Sequence, residues 1–392
     1  MELTNKQEQG LKIAIQRYRD GEKYTVISGY AGTGKSTLVK FIISALDIDE
    51  DDVCYAAFTG KAAQVLLKKG NPNVRTLHKL LYKHIPKRDG GFIKVPYPSI
   101  DFKIVVVDEV SMAPASLISL LFSHNVHVIC LGDPFQLPPI DKTEDNHLLE
   151  HPHIFLDEIM RQEAESEIIR LSMAIRNFEL FPNQIGKEVQ VLRRGELNTG
   201  MLTWADQILV GTNKTRIDMN NQMRQLMGRG PQPEDGDKII CLRNYWDIFS
   251  EEEENPLVNG TIGYLKDSYE DFRVLPRNLY PKQKVEMIRG HFISDSDDTY
   301  LDLNMDKHMI LTGEPFADRR TIARIASNKK FQDAVPMQFT YGYAITCHKA
   351  QGSEWDKVLV IEEKFPFDKV EHARWLYTAC TRSAQKLVLI RS

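Results

Sequence analysis

Read for its alternation of apolar and polar positions, the chain starts with a polar stretch of helical pattern at 5–20, where Leu11 and Ile13 stand among Lys, Gln and Arg. An unbroken apolar run then closes on glycine, YTVISG at 24–29, and predicts a buried strand. A helix is expected at 36–46, a second strand at 53–58 and a second helix at 61–69. KIVVVDEV (103–110) and VHVICLGD (126–133) supply third and fourth strands. Apolar strands alternating with helices predict a parallel sheet covered on both faces. Residues 1–180 therefore read as one α/β domain, with a helix at 163–178 near its end.

One segment breaks the alternation. KHIPKRDGGFIKVPYPSI (83–100) is basic and centred on Asp-Gly-Gly, so a hairpin pushed out of the sheet is expected over 82–101. ADQILVGTN (205–213) opens a second α/β unit. Residues 236–335 change texture, with an acidic run at 251–254, NGTIG at 259–263 and short β-like pieces such as DFRVLP (271–276). They read as a small, mostly β insertion, with DSDD (295–298) as a loop. Strand and helix patterns resume over 337–352, and further strands are expected at 357–363 and 386–392, with a helix at 370–381. The second α/β domain thus comprises 181–235 and 336–392, interrupted by 236–335.

Composition adds bounds. At 392 residues, 42% hydrophobic and 27% charged, the chain has apolar material for more than one core. A formal charge of -4 neither favours nor excludes nucleic acid, because local fields outweigh the sum. The cysteines Cys54, Cys130, Cys241, Cys347 and Cys380 form no CxxC pair, which gives no zinc module or disulfide framework and fits a reducing cytoplasm. No signal peptide and no run of 18 apolar residues is seen, so no membrane span is expected.

The chemistry starts at GYAGTGKST (29–37), which matches G-x-x-x-x-G-K-[ST] between a predicted strand and a helix. Gly32, Thr33 and Gly34 let backbone N–H groups curl round phosphates, Lys35 reaches the β- and γ-phosphates, and Ser36 and Thr37 bring hydroxyls, that of Ser36 to Mg²⁺. This much implies an ATP site and leaves hydrolase and kinase open. Asp108-Glu109 at the end of the third strand supplies a Mg²⁺ partner and a water-activating base. A kinase of a small metabolite needs no such base, so the pair favours hydrolysis. Gln136 lies beyond the fourth strand, where an amide can bond both water and phosphate. Arg161 and Arg382 can stabilise a phosphoryl transition state, and Gln7 can read an adenine edge.

In order, the pieces are LTNKQ (3–7), the phosphate loop, AFTGKAA (57–63), TLHKL (76–80), VVVDEVSM (105–112), GDPFQLPPI (132–140), Arg161-Gln162, YAITCHKAQGSEWD (343–356) and YTACTRS (377–383). This ordered set resembles the superfamily 1 helicases, within them the 5'-to-3' branch of RecD-like and Dda-like enzymes. The resemblance spans nearly the whole chain. It implies two RecA-like P-loop domains, with 82–101 as a strand-separating pin and 236–335 as an SH3-like insertion. It implies ATP between the two domains, with Gln7 on adenine, Asp108 and Glu109 as acids, Gln136 as γ-phosphate sensor, Arg161 and Arg382 on phosphate, and Gly352 and Glu354 touching nucleotide. Thr59, Lys61, Thr76, His78, Thr346, His348 and Lys349 match strand-contacting positions, and Phe92 is a candidate pin tip.

The expected activity is ATP-driven 5'-to-3' movement on single-stranded DNA with duplex unwinding. Partners would be single strands, their junctions with duplex and single-stranded-DNA-binding or replisome proteins, with the chain acting as a monomer in a bacterial or phage-infected cytoplasm. Alternatives are a translocase with little unwinding, an RNA-directed motor, a small-molecule kinase and an inactive nucleotide-binding module. Phe58 stands where relatives often have proline, and no relaxase or nuclease motif is present.

Overall fold

The computed structural model describes residues 3–86, 92–138, 145–160, 165–181, 183–251, 256–364 and 368–392. Helix α1 (Asn5–Arg19) starts in a capping box: Thr4 Oγ1 accepts the Gln7 N–H, and the Gln7 side chain accepts the Thr4 N–H. The chain continues through β1 (Tyr24–Gly29), α2 (Lys35–Ala45), β2 (Val53–Ala57), α3 (Gly60–Lys68), β3 (Val74–Thr76) and α4 (Leu77–Leu81). There follow β4 (Tyr82–Pro86), β5 (Phe92–Pro96), β6 (Ile104–Asp108), α5 (Ala115–Phe122), β7 (His127–Gly132), β8 (Ile154–Leu156) and α6 (Glu167–Arg176).

Strands of this part form a sheet in the order β3-β2-β6-β7-β1-β8, parallel throughout. Its apolar runs are explained by burial on both faces. In β6, Ile104 and Val106 face one cluster with Leu38 and Ile42 of α2, while Val105 and Val107 face another with Leu117 and Leu121 of α5. Parallel strands also end together, so Gly29, Asp108 and Gly132 leave the sheet at one edge. β4 and β5 pair antiparallel as the expected hairpin, and their Asp-Gly-Gly connection lies outside the described residues.

Beyond α6 come β9 (Gln184–Ile185), β10 (Val189–Arg193), α7 (Thr199–Trp204), β11 (Gln207–Val210), α8 (Asn213–Leu226), β12 (Lys238–Cys241), β13 (Tyr245–Phe249) and β14 (Pro256–Leu257). The chain continues in β15 (Ile262–Val274), β16 (Lys284–Ser294), β17 (Thr299–Asp306), α9 (Lys307–Thr312), α10 (Arg319–Ala326), β18 (Phe339–Tyr341) and β19 (Ala344–Thr346). It closes with α11 (Cys347–Ala350), β20 (Trp355–Ile361), α12 (Lys369–Cys380) and β21 (Ser383–Arg391).

Two compact units result, Met1–Leu209 with Cys347–Ser392, and Val210–Thr346. The first unit holds the sheet above and a second one. There β21 lies between β20 and β10, parallel to both, β11 follows beyond β20, and β9 runs antiparallel to β10. The expected helix at 163–178 begins only at Glu167, where the Ser166 hydroxyl caps it.

The second unit is built on an antiparallel sheet, β17-β16-β15-β12-β18. It is wider than the expected 236–335 insertion, since it takes in α8, β18 and β19, which the sequence pattern assigns to the second α/β domain, and it holds two helices, α9 and α10, that the pattern had not announced. Leu275, Val285, Met287, Phe316 and Ile325 form an apolar cluster in it. Buried Arg224 makes a two-pronged pair with Asp237, Nε to Oδ1 at 3.0 Å and Nη2 to Oδ2 at 3.1 Å, and Tyr343 donates to Oδ1 at 3.0 Å.

Candidate active site

The P-loop leaves β1 at Gly29 and enters α2 at Lys35. Gly32 and Gly34 both have φ +75°, a left-handed backbone that glycine adopts without strain. A Cβ on Gly34 would fall on Met160 Sδ and Gln7 Nε2, so the cradle tolerates no side chain there. Lys35 Nζ donates to Gly29 O at 2.8 Å and Tyr30 O at 3.1 Å, a hold on its own loop that phosphate oxygens can replace.

The loop borders an open cleft of about 420 Å³. Gly32, Gly34, Lys35, Ser36, Thr37, Asp108 and Glu109 line it from the first sheet, and Gly352, Glu354 and Arg382 from the second. The second-sheet loop packs closely: a Cβ on Gly352 (φ +72°) would stand 2.9 Å from Ala62 Cβ. Lys69 and Glu354, from the two sides, pair at 2.9 Å on an exposed rim, a contact of little energetic weight.

Asp108 is half-buried beside Glu109, and desolvation and the neighbouring carboxylate both push its carboxyl up to about 6, with Lys35 opposing. Glu109 adopts φ +50°, an uncommon backbone for a residue with a side chain, of the kind that collects at functional sites. Its Oε1 accepts Gln136 Nε2 at 3.3 Å and lies 3.7 Å from Arg382 Nη1. Its Oε2 is buried and has no hydrogen-bond partner among the described residues. An oxygen left so is free to take a proton from water, and Gln136 and Arg382 fix the direction in which it points.

Two predicted residues sit otherwise, and a third is not among the described residues. Gln7 is buried and does not line the cleft; its Nε2 donates to Thr33 O at 3.1 Å while its carbonyl serves the capping box. Thr33 is buried as well, its hydroxyl on Tyr30 O at 2.8 Å. Arg161 lies outside the described residues.

The residues matched to strand contact have local tasks. Thr59 caps α3 by accepting the Ala62 N–H, and Thr76 caps α4 by accepting the Lys79 N–H. The His78 ring lies 5.9 Å from Phe58 and 6.1 Å from Tyr82. Lys61, Thr346, His348 and Lys349 are half-buried, and burial holds His348 below the usual histidine value. Phe92 belongs to β5. All five cysteines are buried thiols, with burial pushing Cys54 and Cys347 up to about 12.

Sequence reasoning passed over Tyr377, Asp133, Thr378 and Gln351. Tyr377 donates to Asp133 Oδ2 at 2.6 Å and accepts the Ala31 N–H of the P-loop at 2.8 Å. Thr378 Oγ1 accepts Leu137 N at 2.9 Å, and Gln351 Nε2 donates to Leu137 O at 2.6 Å. Each stands in a motif already quoted, where attention had gone to neighbours such as Gln136, Gly352, Glu354 and Arg382.

The residues fit a nucleotide with Mg²⁺: a glycine cradle, a displaceable lysine, a hydroxyl and a carboxylate for the ion, and a second carboxylate, Glu109, with one oxygen unpartnered. Among the described residues no cluster of three or more His, Cys, Asp or Glu could hold a metal alone.

Comparisons with known proteins converge on the same reading. The family description "AAA domain" matches residues 2–187, and "UvrD-like helicase C-terminal domain" matches 341–390. The chain is 25% identical over 397 residues to the ATP-dependent RecD2 DNA helicase of Deinococcus radiodurans, covering 93% of this chain and 46% of that protein. It is 28% identical over 190 residues to the ATP-dependent DNA helicase dda of Enterobacteria phage T4, covering 45% of this chain and 43% of that one. The chain thus spans about half the length of these curated relatives, or less. Its fold is that of the Pif1 helicase from Bacteroides solved with ADP-AlF3 and ssDNA, at TM-score 0.53 and 16% identity over 99% of this chain and 92% of that one.

Proposed function

We propose that this chain, which belongs to the superfamily 1-type helicases related to RecD, Dda and Pif1-like enzymes, is an ATP-dependent DNA helicase whose hydrolysis is stimulated by single-stranded DNA. The observation that carries the reading is one cleft lined by the P-loop and acid pair of one parallel sheet and by Arg382 of another. A site assembled from two sheets turns over only when both are in place, and so couples hydrolysis to their movement.

Ser36 and Asp108 would hold Mg²⁺, which when bound draws charge from the transferred phosphoryl group. Lys35 exchanges its two carbonyls for phosphate oxygens. Glu109 Oε2 takes the proton of the attacking water, while Gln136 and Arg382 keep Oε1 in place. Arg382, and Arg161 by its motif, stabilise the transition-state charge. Gln7 contributes to base recognition if its amide leaves Thr33 O.

Single-stranded DNA would be held through Thr59, Lys61, Thr76, His78, Thr346, His348 and Lys349, by phosphate and sugar contacts that carry little sequence preference. The β4–β5 hairpin, with Ile85 41% and Val95 38% exposed, serves as the pin, Phe92 lying nearest its tip. The Val210–Thr346 unit includes the SH3-like element. Direction, 5' to 3', follows from the motif resemblance.

The test is steady-state ATP hydrolysis with no nucleic acid, with oligo(dT) and with the matching RNA, using Lys35→Ala as control. The proposal expects stimulation by DNA above that by RNA and loss of both rates in Lys35→Ala. Hydrolysis indifferent to DNA would sink it.

A further inference from the structure

One buried hydroxyl outside the cleft lining takes no part in that chemistry. Tyr377 lies on α12, which leads to Arg382, and its ring is 1% exposed. Its hydroxyl accepts the Ala31 N–H of the P-loop at 2.8 Å and donates to Asp133 Oδ2 at 2.6 Å. Asp133, 3% exposed, spends its other oxygen on the Phe135 N–H at 2.9 Å. It thereby shapes the turn that carries Gln136, the residue bonded to Glu109. The Tyr377 ring meets Phe135 edge-on at 5.3 Å, and Arg382 Nε bonds Thr378 O, one residue on, at 3.2 Å.

One oxygen therefore joins three parts: the P-loop, the Gln136 turn and the helix that precedes Arg382. A phenol has one hydrogen to give, and its short bond to a carboxylate is directional. A shift of α12 would break the bond to Ala31, the bond to Asp133 or both. Burial excludes water as a replacement, so neither partner is easily satisfied in another way. The neighbouring bonds from Thr378 and Gln351 to Leu137 secure the same turn but do not reach the P-loop.

We propose that Tyr377 is a positioning residue that sets the P-loop, the Gln136 turn and Arg382 in register, so that γ-phosphate sensing and arginine placement occur together. This rests on the nucleotide-site reading above. It assigns Tyr377 to the hydrolytic step and not to nucleotide capture, since Tyr377 and Asp133 do not line the cleft.

The test uses the full chain as wild type, Tyr377→Phe, Asp133→Asn and the double variant. The readouts are affinity for a fluorescent ATP analogue, kcat and KM for hydrolysis with and without oligo(dT), and thermal melting. Tyr377→Phe should keep analogue affinity within about threefold and lower kcat about tenfold or more, the loss expected for one buried charge-assisted bond. KM should change little, and the double variant should be little worse than either single one, because both cut the same link. Unchanged kcat in Tyr377→Phe overturns the proposal. So does a loss that merely follows a fall in melting temperature or in analogue affinity, or one that adds fully to that of Asp133→Asn. A wild-type chain that binds or hydrolyses no ATP overturns the nucleotide reading itself, and shows in the wild-type arm alone.

Discussion

The two compact units bury polar groups for different ends. In Met1–Leu209 with Cys347–Ser392, buried or half-buried Asp108, Glu109 and Arg382 line a cleft, with Gln136 bonded to Glu109, and one Glu109 oxygen is left unpartnered among the described residues. In Val210–Thr346, Arg224 and Asp237 are matched prong for prong, and Tyr343 adds a further bond to Oδ1. A buried pair whose capacity is filled holds structure; a buried carboxylate with an oxygen to spare, in a left-handed backbone, is ready for chemistry.

The largest expected effect breaks the structural side of this contrast. Arg224→Ala removes the two-pronged partner of buried Asp237 and leaves it only Arg229, whose Nε lies 3.4 Å from Oδ1, so unfolding stability should fall by about 3 kcal/mol, read by denaturant titration, with hydrolysis per folded molecule preserved. If stability is unchanged, the pair is not a staple. Next, Glu109→Gln should reduce kcat about a hundredfold, roughly 2.7 kcal/mol of barrier, while melting temperature and analogue binding stay near wild type. A variant that melts early would move Glu109 to the structural side.

A smaller effect sharpens the contrast through pH. His153 Nδ1 accepts the Val26 N–H at 2.9 Å, and His127 bonds Glu22 O through Nδ1 at 2.7 Å and Thr25 Oγ1 through Nε2 at 3.2 Å, so both rings are tied to β1. Burial lowers both below the ordinary value of 6.5, so the folded chain keeps them neutral while the unfolded chain takes up protons. Their contribution is whole above about pH 6.5 and declines as pH falls below it. Melting temperature should drop from pH 7 to 5, and less so in His153→Gln; an equal drop would remove His153 from the account. The smallest effect concerns the hairpin. Ile85→Ser with Val95→Ser should slow strand separation about two- to threefold while leaving DNA-stimulated hydrolysis intact, measured side by side.

Much of the first unit was legible because its elements obey simple periods. Apolar strands such as IVVVD, and a P-loop whose spacing is dictated by phosphate geometry, leave few other readings. The second unit was harder for a physical reason. In β15 the register shifts between Lys266 and Tyr269, with Asp267 at φ +51°, so the alternation of faces is interrupted and only its last residues read as a strand. Tyr377 was illegible for another reason: its partners Ala31 and Asp133 are 346 and 244 positions away, and no local pattern announces a contact made only after two sheets have formed. Strands β9 and β10 fared alike, since VQVLR gains its parallel partner β21 only from the far end of the chain.

The central claim is directed, ATP-driven movement, and strand displacement tests it most directly. Two partial duplexes, one with a 5' single-stranded tail and one with a 3' tail, would be mixed with ATP and Mg²⁺, with Lys35→Ala and nucleotide-free reactions alongside. The account predicts displacement from the 5'-tailed duplex alone, lost in Lys35→Ala. Displacement that favours the 3' tail, or that survives in Lys35→Ala, would contradict it.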